Sequence, residues 1–275
     1  MFDLISIGDG AVDLFFQISD AHLEQDHGAE ELCLRFGEKI PIKQFHQSLG
    51  GNNPNNAVGA VRLGLNTAIY LNTGTDLMGK FTLEKLTEEK VDTRYVKINE
   101  GMDSNVSALL SFKGERTILT YRQDFKYQLP DLDKTRWVYL ASMGQSALED
   151  NLVKQVENYV ERVGASLIYN PGPYELKYGI KKFPKLLSLC KLLILNKEEA
   201  EEVLDKNKES RIKNQGIKKL LSGLAELGPK MVIITDGKDG SYGFDGEKFW
   251  QLDIFPAHLV DMTGAGDAYA TGVLA

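Results

Sequence analysis

The sequence predicts an α/β protein: a doubly wound, mainly parallel sheet with helices on both faces, plus a small antiparallel β lid. Three observations predict it. Short apolar runs alternate with stretches of helical periodicity, the pattern of helices packed on both faces of a parallel sheet. Each run is closed by Gly, Asn or Asp, as buried central strands tend to be. Residues 12–48 and 94–123 break the rhythm and hold strand-like segments without long helices between them.

Taken in order, the expected strands are Leu4–Ile7, Thr67–Leu71, Trp137–Leu140, Ser166–Tyr169, Leu192–Leu195 and Met231–Ile234. The expected helices are Asn55–Leu63, Lys80–Glu89, Leu148–Val163, Glu198–Leu204 and Ile212–Leu227. In the two irregular regions, Leu14–Ile18, Val106–Phe112 and Thr117–Tyr121 read as strands, and Lys113-Gly114-Glu115-Arg116 reads as a hairpin turn. The simplest organisation is one domain over 1–275 with the two irregular regions inserted as a lid. Lys206–Lys213 is charge-rich and expected to be a solvated loop. In such a sheet ligands bind beyond the carboxyl ends of the strands. That rim would carry Gly8 to Asp13, Thr73-Gly74, Asn170-Pro171-Gly172, Asn196 and Asp236-Gly237.

Composition narrows the partners. The chain has 275 residues, 43% hydrophobic and 26% charged, with net charge −7, which argues against nucleic acid as a partner. Cys33 and Cys190 are far apart in unlike contexts, as expected in a reducing compartment. No apolar run is long enough to span a membrane, and the first residues read as a strand and turn rather than a signal. A cytoplasmic location is therefore expected.

The most informative segment is Asp261-Met262-Thr263-Gly264-Ala265-Gly266-Asp267, followed by residues able to form a helix. The N–H groups of Gly264, Ala265 and Gly266 would lie at a helix N-terminus without helical partners, a cradle for an anion. A carboxylate in the same turn suits a base that takes a proton from a hydroxyl while amides hold developing charge. A plain helix cap explains the same residues equally well. In Leu49-Gly50-Gly51-Asn52-Asn53-Pro54-Asn55-Asn56-Ala57, four asparagines open a helix. Asn brings donors and acceptors without charge, which suits a polyol, and it also caps helices. Asn196-Lys197-Glu198-Glu199 meets a helix start, where Asn196 can cap and Glu199 can favour the dipole or hold hydrated Mg²⁺.

Other motifs are weaker. Gly74-Thr75-Asp76-Leu77-Met78-Gly79-Lys80-Phe81 approaches a P-loop but has Phe81 where the Mg²⁺-binding hydroxyl belongs, so a structural turn is expected. Gly8-Asp9-Gly10 lacks the third glycine of a dinucleotide site, which argues against a dehydrogenase. His22, His27, His46 and His258 show no metal-ligand spacing and read as surface histidines.

Gly50 to Ala57 and Asp261 to Asp267 together resemble the two signatures of the ribokinase-like, or phosphofructokinase-B, carbohydrate kinases. Asp13, Asn196 to Glu199 and Thr235-Asp236-Gly237 fall in the family's order. The resemblance implies transfer of the γ-phosphoryl group of ATP to a hydroxyl of a small sugar or sugar derivative. By position it implies Asp267 as catalytic base and the backbone of Gly264, Ala265 and Gly266 as anion hole. Asp13, Gly51 and Asn55 would bind the sugar, and Asn196, Thr235 and Gly237 the nucleotide. Glu199 would act on Mg²⁺ through water, while Asp261, with Thr263, resembles a position that holds K⁺ or another monovalent cation in some members. ATP, Mg²⁺ and, in such members, K⁺ are thus the expected cofactors.

The sequence departs from the family at Met262, where Thr or Ser is common. Asn52-Asn53-Pro54 and Ala11 replace residues that ribokinase uses around ribose, which points away from that sugar. The chain ends at Ala275, soon after Asp267, so an incomplete adenine pocket is expected. The competing readings are a sugar-binding or sensing protein with impaired nucleotide binding, and a nucleoside kinase. Open edges in a lid sheet further predict a homodimer through the lid.

Overall fold

The protein was described from a computed structural model covering residues 1–26, 29–204, 216–257 and 264–275. His27, His258, Asp261, Met262 and Thr263 lie outside the described residues, as does the 206–213 segment. Along the chain, β1 (Phe2–Gly8) is followed by β2 (Ala11–Ile18), β3 (His22–Asp26), β4 (Ala29–Cys33) and β5 (Ile42–Gly50). Helix α1 (Asn52–Arg62), β6 (Thr67–Tyr70), β7 (Asn72–Gly74), α2 (Leu77–Glu88) and β8 (Lys97–Asn99) come next. Then follow β9 (Val106–Phe112), β10 (Glu115–Tyr121), β11 (Thr135–Ala141), α3 (Gln145–Glu149), α4 (Leu152–Val163) and β12 (Ser166–Asn170). The last elements are α5 (Pro173–Tyr178), α6 (Pro184–Leu189), β13 (Cys190–Asn196), α7 (Lys197–Leu204), α8 (Ile217–Ala225), β14 (Met231–Thr235), β15 (Ser241–Phe244), β16 (Phe249–Leu252) and α9 (Ala265–Leu274).

The main sheet has eight strands in the order β16-β15-β14-β13-β12-β11-β1-β6. The pairings from β6 to β14 are parallel, and β15 and β16 add antiparallel at one edge. The runs in β1, β11 and β13 are almost wholly buried because both faces are covered. Strand alternation divides β1 between two cores. Ile5 and Ile7 belong to one core with Val156 and Val160 of α4 and Leu220 and Leu224 of α8. Leu4 packs with Ala60 of α1 and Ala270 of α9 on the other face. The doubly wound, two-faced sheet of the sequence reading is therefore present.

A second sheet, in the order β10-β9-β2-β5, rises from the end of β1. The β2–β5 and β9–β10 pairs are antiparallel, and a parallel β2–β9 pairing joins them. Lys113 and Gly114 turn between β9 and β10 with φ 52° and 89°, the left-handed pair that a tight hairpin needs. Strands β3 and β4 form a separate two-stranded hairpin.

Several local expectations changed. The helix expected over 148–163 is two helices, because Asn151 is left-handed at φ 57° and the Asp150 carboxylate accepts the Tyr127 N–H at 2.7 Å. Helices α5 and α6 each open on a proline at the first turn, a signal that the apolar-run reading passed over. The near-P-loop is a helix entrance: Asp76 accepts the Gly79 N–H at 2.9 Å and the Ser104 hydroxyl at 2.5 Å.

Candidate active site

The site forms where β1 lies between β6 on one side and β11 on the other, the reversal in strand order at which open α/β sheets bind ligands. The asparagine run does its work here. The N-cap of α1 is Gly51, and no side chain caps it. Each asparagine instead reaches across the fold. Asn53 is fully buried; its amide donates to Ala141 O at 2.6 Å and Asp9 O at 3.2 Å, and its oxygen accepts from Ser6 Oγ at 3.2 Å. Asn56 is buried and donates to Thr271 Oγ1 at 3.0 Å. Asn52 donates to Asn170 Oδ1 at 3.4 Å, and Asn55 donates to Asp267 Oδ2 at 2.8 Å.

These contacts fix α9 against α1. Thr271 Oγ1 also donates to Asp267 O at 2.7 Å. Gly59 sits under Thr271, where an added Cβ would meet the threonine methyl at 3.0 Å. Gly264 opens α9 in the left-handed region, φ 76°, and Ala265 and Gly266 follow it exposed in the first turn. Asp267 is half-buried beside them. Burial raises its carboxyl above the ordinary aspartate value; the Asn55 hydrogen bond opposes that shift and the Asp13 charge adds to it.

Asp13 stands on β2, paired in register with Ser48 of β5 and Ser107 of β9. Its carboxyl is also raised by burial, against the pull of Ser107 and the Arg122 charge. It folds over Gly50, where an added Cβ would lie 2.2 Å from the carboxyl atoms, so any other residue there would displace the Asp13 carboxylate. Gly51, at φ 93°, passes close to Gly10 and Asp9. Asp13, Phe15, Asn55, Gly264 and Asp267 share a cleft of about 740 Å³ between the second sheet and α1.

A second cleft, of about 270 Å³, lies on the other side of Asp267 and is lined by Asn170, Asn196, Glu199, Thr235 and Gly266. Asn196 and Glu199 form a reciprocal cap: Asn196 Oδ1 accepts the Glu199 N–H at 2.8 Å, and Glu199 Oε2 accepts the Asn196 N–H at 2.9 Å. Burial raises the Glu199 carboxyl. Gly237 is placed apart from this cleft, in a 3₁₀ turn at φ 51° with open space around it. Beside that turn, Lys197 pairs with Asp236 at 2.7 Å, and both line a further cleft of about 610 Å³.

The sequence reading put Asn170 and Asp9 on this rim without assigning either a contact, and it did not single out Glu175. Asn170 accepts from Tyr139 OH at 3.0 Å and donates to Ile194 O at 2.9 Å. Asp9 is bonded by the Tyr127 hydroxyl, and burial pushes its carboxyl up to about 6. Glu175 is fully buried, accepts the Met143 N–H at 3.1 Å, and has its other oxygen unpartnered; burial pushes it to about 7. The Asn-Pro-Gly-Pro segment at the end of β12 was the available signal for Asn170. Nothing local distinguished Glu175 from a surface glutamate.

A sheet with its switch point beside a half-buried acid, flanked by two clefts, is a small-molecule class of site. Residues 21–275 match the pfkB family carbohydrate kinases, and the chain belongs to that family. It is 26% identical to an ATP-dependent 6-phosphofructokinase of Thermoanaerobacterium thermosaccharolyticum, over 98% of this chain and 80% of that protein. It is 27% identical to a 5-dehydro-2-deoxygluconokinase of Geobacillus kaustophilus, over 84% of this chain and 72% of that one. In fold it superposes on Arabidopsis thaliana ribokinase complexed with ribose and ATP, with TM-score 0.77 and 23% identity, covering 99% of this chain and 86% of that one. The protein is a carbohydrate kinase. No helix among the described residues is long and apolar enough to cross a membrane.

Proposed function

We propose that the protein transfers the γ-phosphoryl group of ATP to a hydroxyl of a small sugar or sugar derivative, with Asp267 as the base. One observation carries the reading: Asp267 lies on the wall shared by the 740 Å³ and 270 Å³ clefts. A kinase needs such a junction, because acceptor hydroxyl and phosphoryl donor must meet in line beside a proton acceptor.

In this reading the sugar occupies the larger cleft, where Asp13 and Asn55 accept and donate to its hydroxyls and Gly51 lets it approach the backbone. The phosphates of ATP enter the smaller cleft beside Asn196 and Thr235, and its adenine and ribose lie along the turn that includes Gly237. Asp267 takes the hydroxyl proton as the bond to phosphorus forms. The N–H groups of Gly264, Ala265 and Gly266 face the charge that develops on the transferring group. The donor set suits Mg²⁺, because hard carboxylate and amide oxygens of Glu199 and Asn196 line the phosphate cleft and need supply few ligands to a hydrated ion. Bound there through water, Mg²⁺ would offset phosphate charge. Asp261 is proposed to hold a monovalent cation.

The second sheet acts as a lid over the sugar cleft and pairs two copies through its open edges. It presents exposed Phe45 on β5 and Leu119 on β10, both edge strands. Light scattering of the free chain should give a dimer.

A coupled ADP-release screen over sugars, sugar acids and nucleosides tests the assignment. Saturable ADP release with one of them is expected. Background rates across the panel, with no binding of an ATP analogue by calorimetry, would contradict it.

A further inference from the structure

The β3–β4 hairpin carries a donor set remote from both clefts. In its register His22 faces Cys33 and Glu24 faces Glu31. Side chains two apart share a strand face, so all four lie on one face of the hairpin. Leu23 and Leu32 point the other way, into a cleft shared with Leu110 and Phe112. The imidazole of His22, the carboxylate of Glu24 and the thiol of Cys33 hold ligand atoms within 4.8 Å of one another. Among the described residues this is the one such grouping of three metal-binding types.

Two physical features of the hairpin point to a ligand there. Like charges directly opposite across a strand pair are destabilising, and Glu24 opposes Glu31. A two-stranded hairpin gains little from its own ladder, and β3–β4 joins no larger sheet by strand pairing, though its leucine face shares a cleft with the second sheet. A cation between the strands would relieve the first and remedy the second.

We propose that His22, Glu24 and Cys33 form a site for a borderline-soft divalent cation of the Zn²⁺ class, which staples β3 to β4. Nitrogen, sulfur and carboxylate oxygen are the zinc donors, and the mixed set excludes Mg²⁺ and Ca²⁺, which take oxygen ligands. Donors on one tetrahedral ion stand roughly 3.3–3.8 Å apart, so rotation of exposed His22 and Glu24 toward half-buried Cys33 closes the set. His22 Nε2 is hydrogen-bonded to Glu24 Oε1 at 3.0 Å, and a cation ligated by neutral imidazole would replace that bond. On binding, the Cys33 thiol gives its proton to solvent and the sulfur ligates as thiolate.

Cobalt(II) titration of the full chain, kept reduced with a phosphine, tests this through the thiolate-to-cobalt charge-transfer band. One equivalent should raise the band, and Zn²⁺ should bleach it. Cys190, the second cysteine, is fully buried in the core, so the band reports Cys33. Cys33→Ser should abolish it. His22→Ala should weaken binding by more than the roughly 10–100-fold that loss of an outer-sphere partner costs. Kinase turnover should be unchanged in both variants. No band at saturating cobalt, a band that persists in Cys33→Ser, or one indifferent to His22→Ala would each overturn the site.

Discussion

Asn55 donates to Asp267 Oδ2 at 2.8 Å, joining the first helix of the chain to the last. The bond orients the carboxylate in the wall between two clefts and opposes the burial that raises its pKa. Removing it should therefore affect chemistry more than folding. In Asn55→Ala, turnover should fall roughly 10²-fold, as misplacement of a reacting group does. Stability should drop by only about 1 kcal/mol, the net worth of one hydrogen bond. The pH profile of kcat/KM reports the base as well. Asp267 must be ionised to act, so activity should fall as pH drops through its raised pKa. That limb should move to higher pH in Asn55→Ala, where the lowering bond is gone. A limb unmoved by the variant would dissociate Asn55 from the base.

Asn53 has the opposite character. Its side chain ties β1 to β11 and accepts from Ser6, all in the buried core beneath the site. Asn53→Ala removes the amide donor to Ala141 O and Asp9 O, while Ser6 keeps its bond to the residue 53 carbonyl; a lost partner costs about 1–3 kcal/mol for each buried group. A fall of several kcal/mol in urea-unfolding stability is expected, and an unchanged midpoint would show that the network is dispensable.

The difference between these two asparagines was not legible in the sequence. The motif announced four amides at a helix start, and local rules allowed caps or polyol ligands. Which amide met Asp267 and which met β11 depends on how α1 crosses the sheet, and that is set by long-range packing. The main strands were legible because burial on both faces leaves an uninterrupted apolar run, as in Leu192 to Leu195. The parallel β2–β9 pairing was not, since alternation along Val106 to Phe112 carries no record of its partner or direction. The break at Asn151 was hidden for the same reason: Asp150 leaves the helix to bind Tyr127, a residue from another segment.

Glu175 is expected to make stability depend on pH. Its folded pKa is pushed to about 7 by burial, with the Asp9 charge adding to the rise and N–H donors from Met143 and Gly172 opposing it. Asp9, pushed to about 6, acts in the same direction. A carboxyl whose pKa is higher folded than unfolded binds protons more tightly in the native state. Its contribution therefore favours folding at low pH and is lost as pH rises from the unfolded value through the folded one. From about pH 4.5 to 7 the Glu175 contribution should decline by on the order of 3 kcal/mol. Glu175→Gln should flatten that part of the urea-midpoint profile and be the more stable form at pH 8. Parallel profiles for the two proteins would show that Glu175 does not titrate there.

The central claim is that Asp267 is the base, and Asp267→Asn tests it most directly. The substitution keeps the size of the side chain and removes its proton affinity. Single-turnover phosphorylation of the best substrate should slow by roughly 10²–10⁴-fold, the usual contribution of a positioned base. Calorimetric affinity for that substrate and the urea midpoint should stay near wild type. A variant that still turns over within about tenfold of wild type would contradict the account.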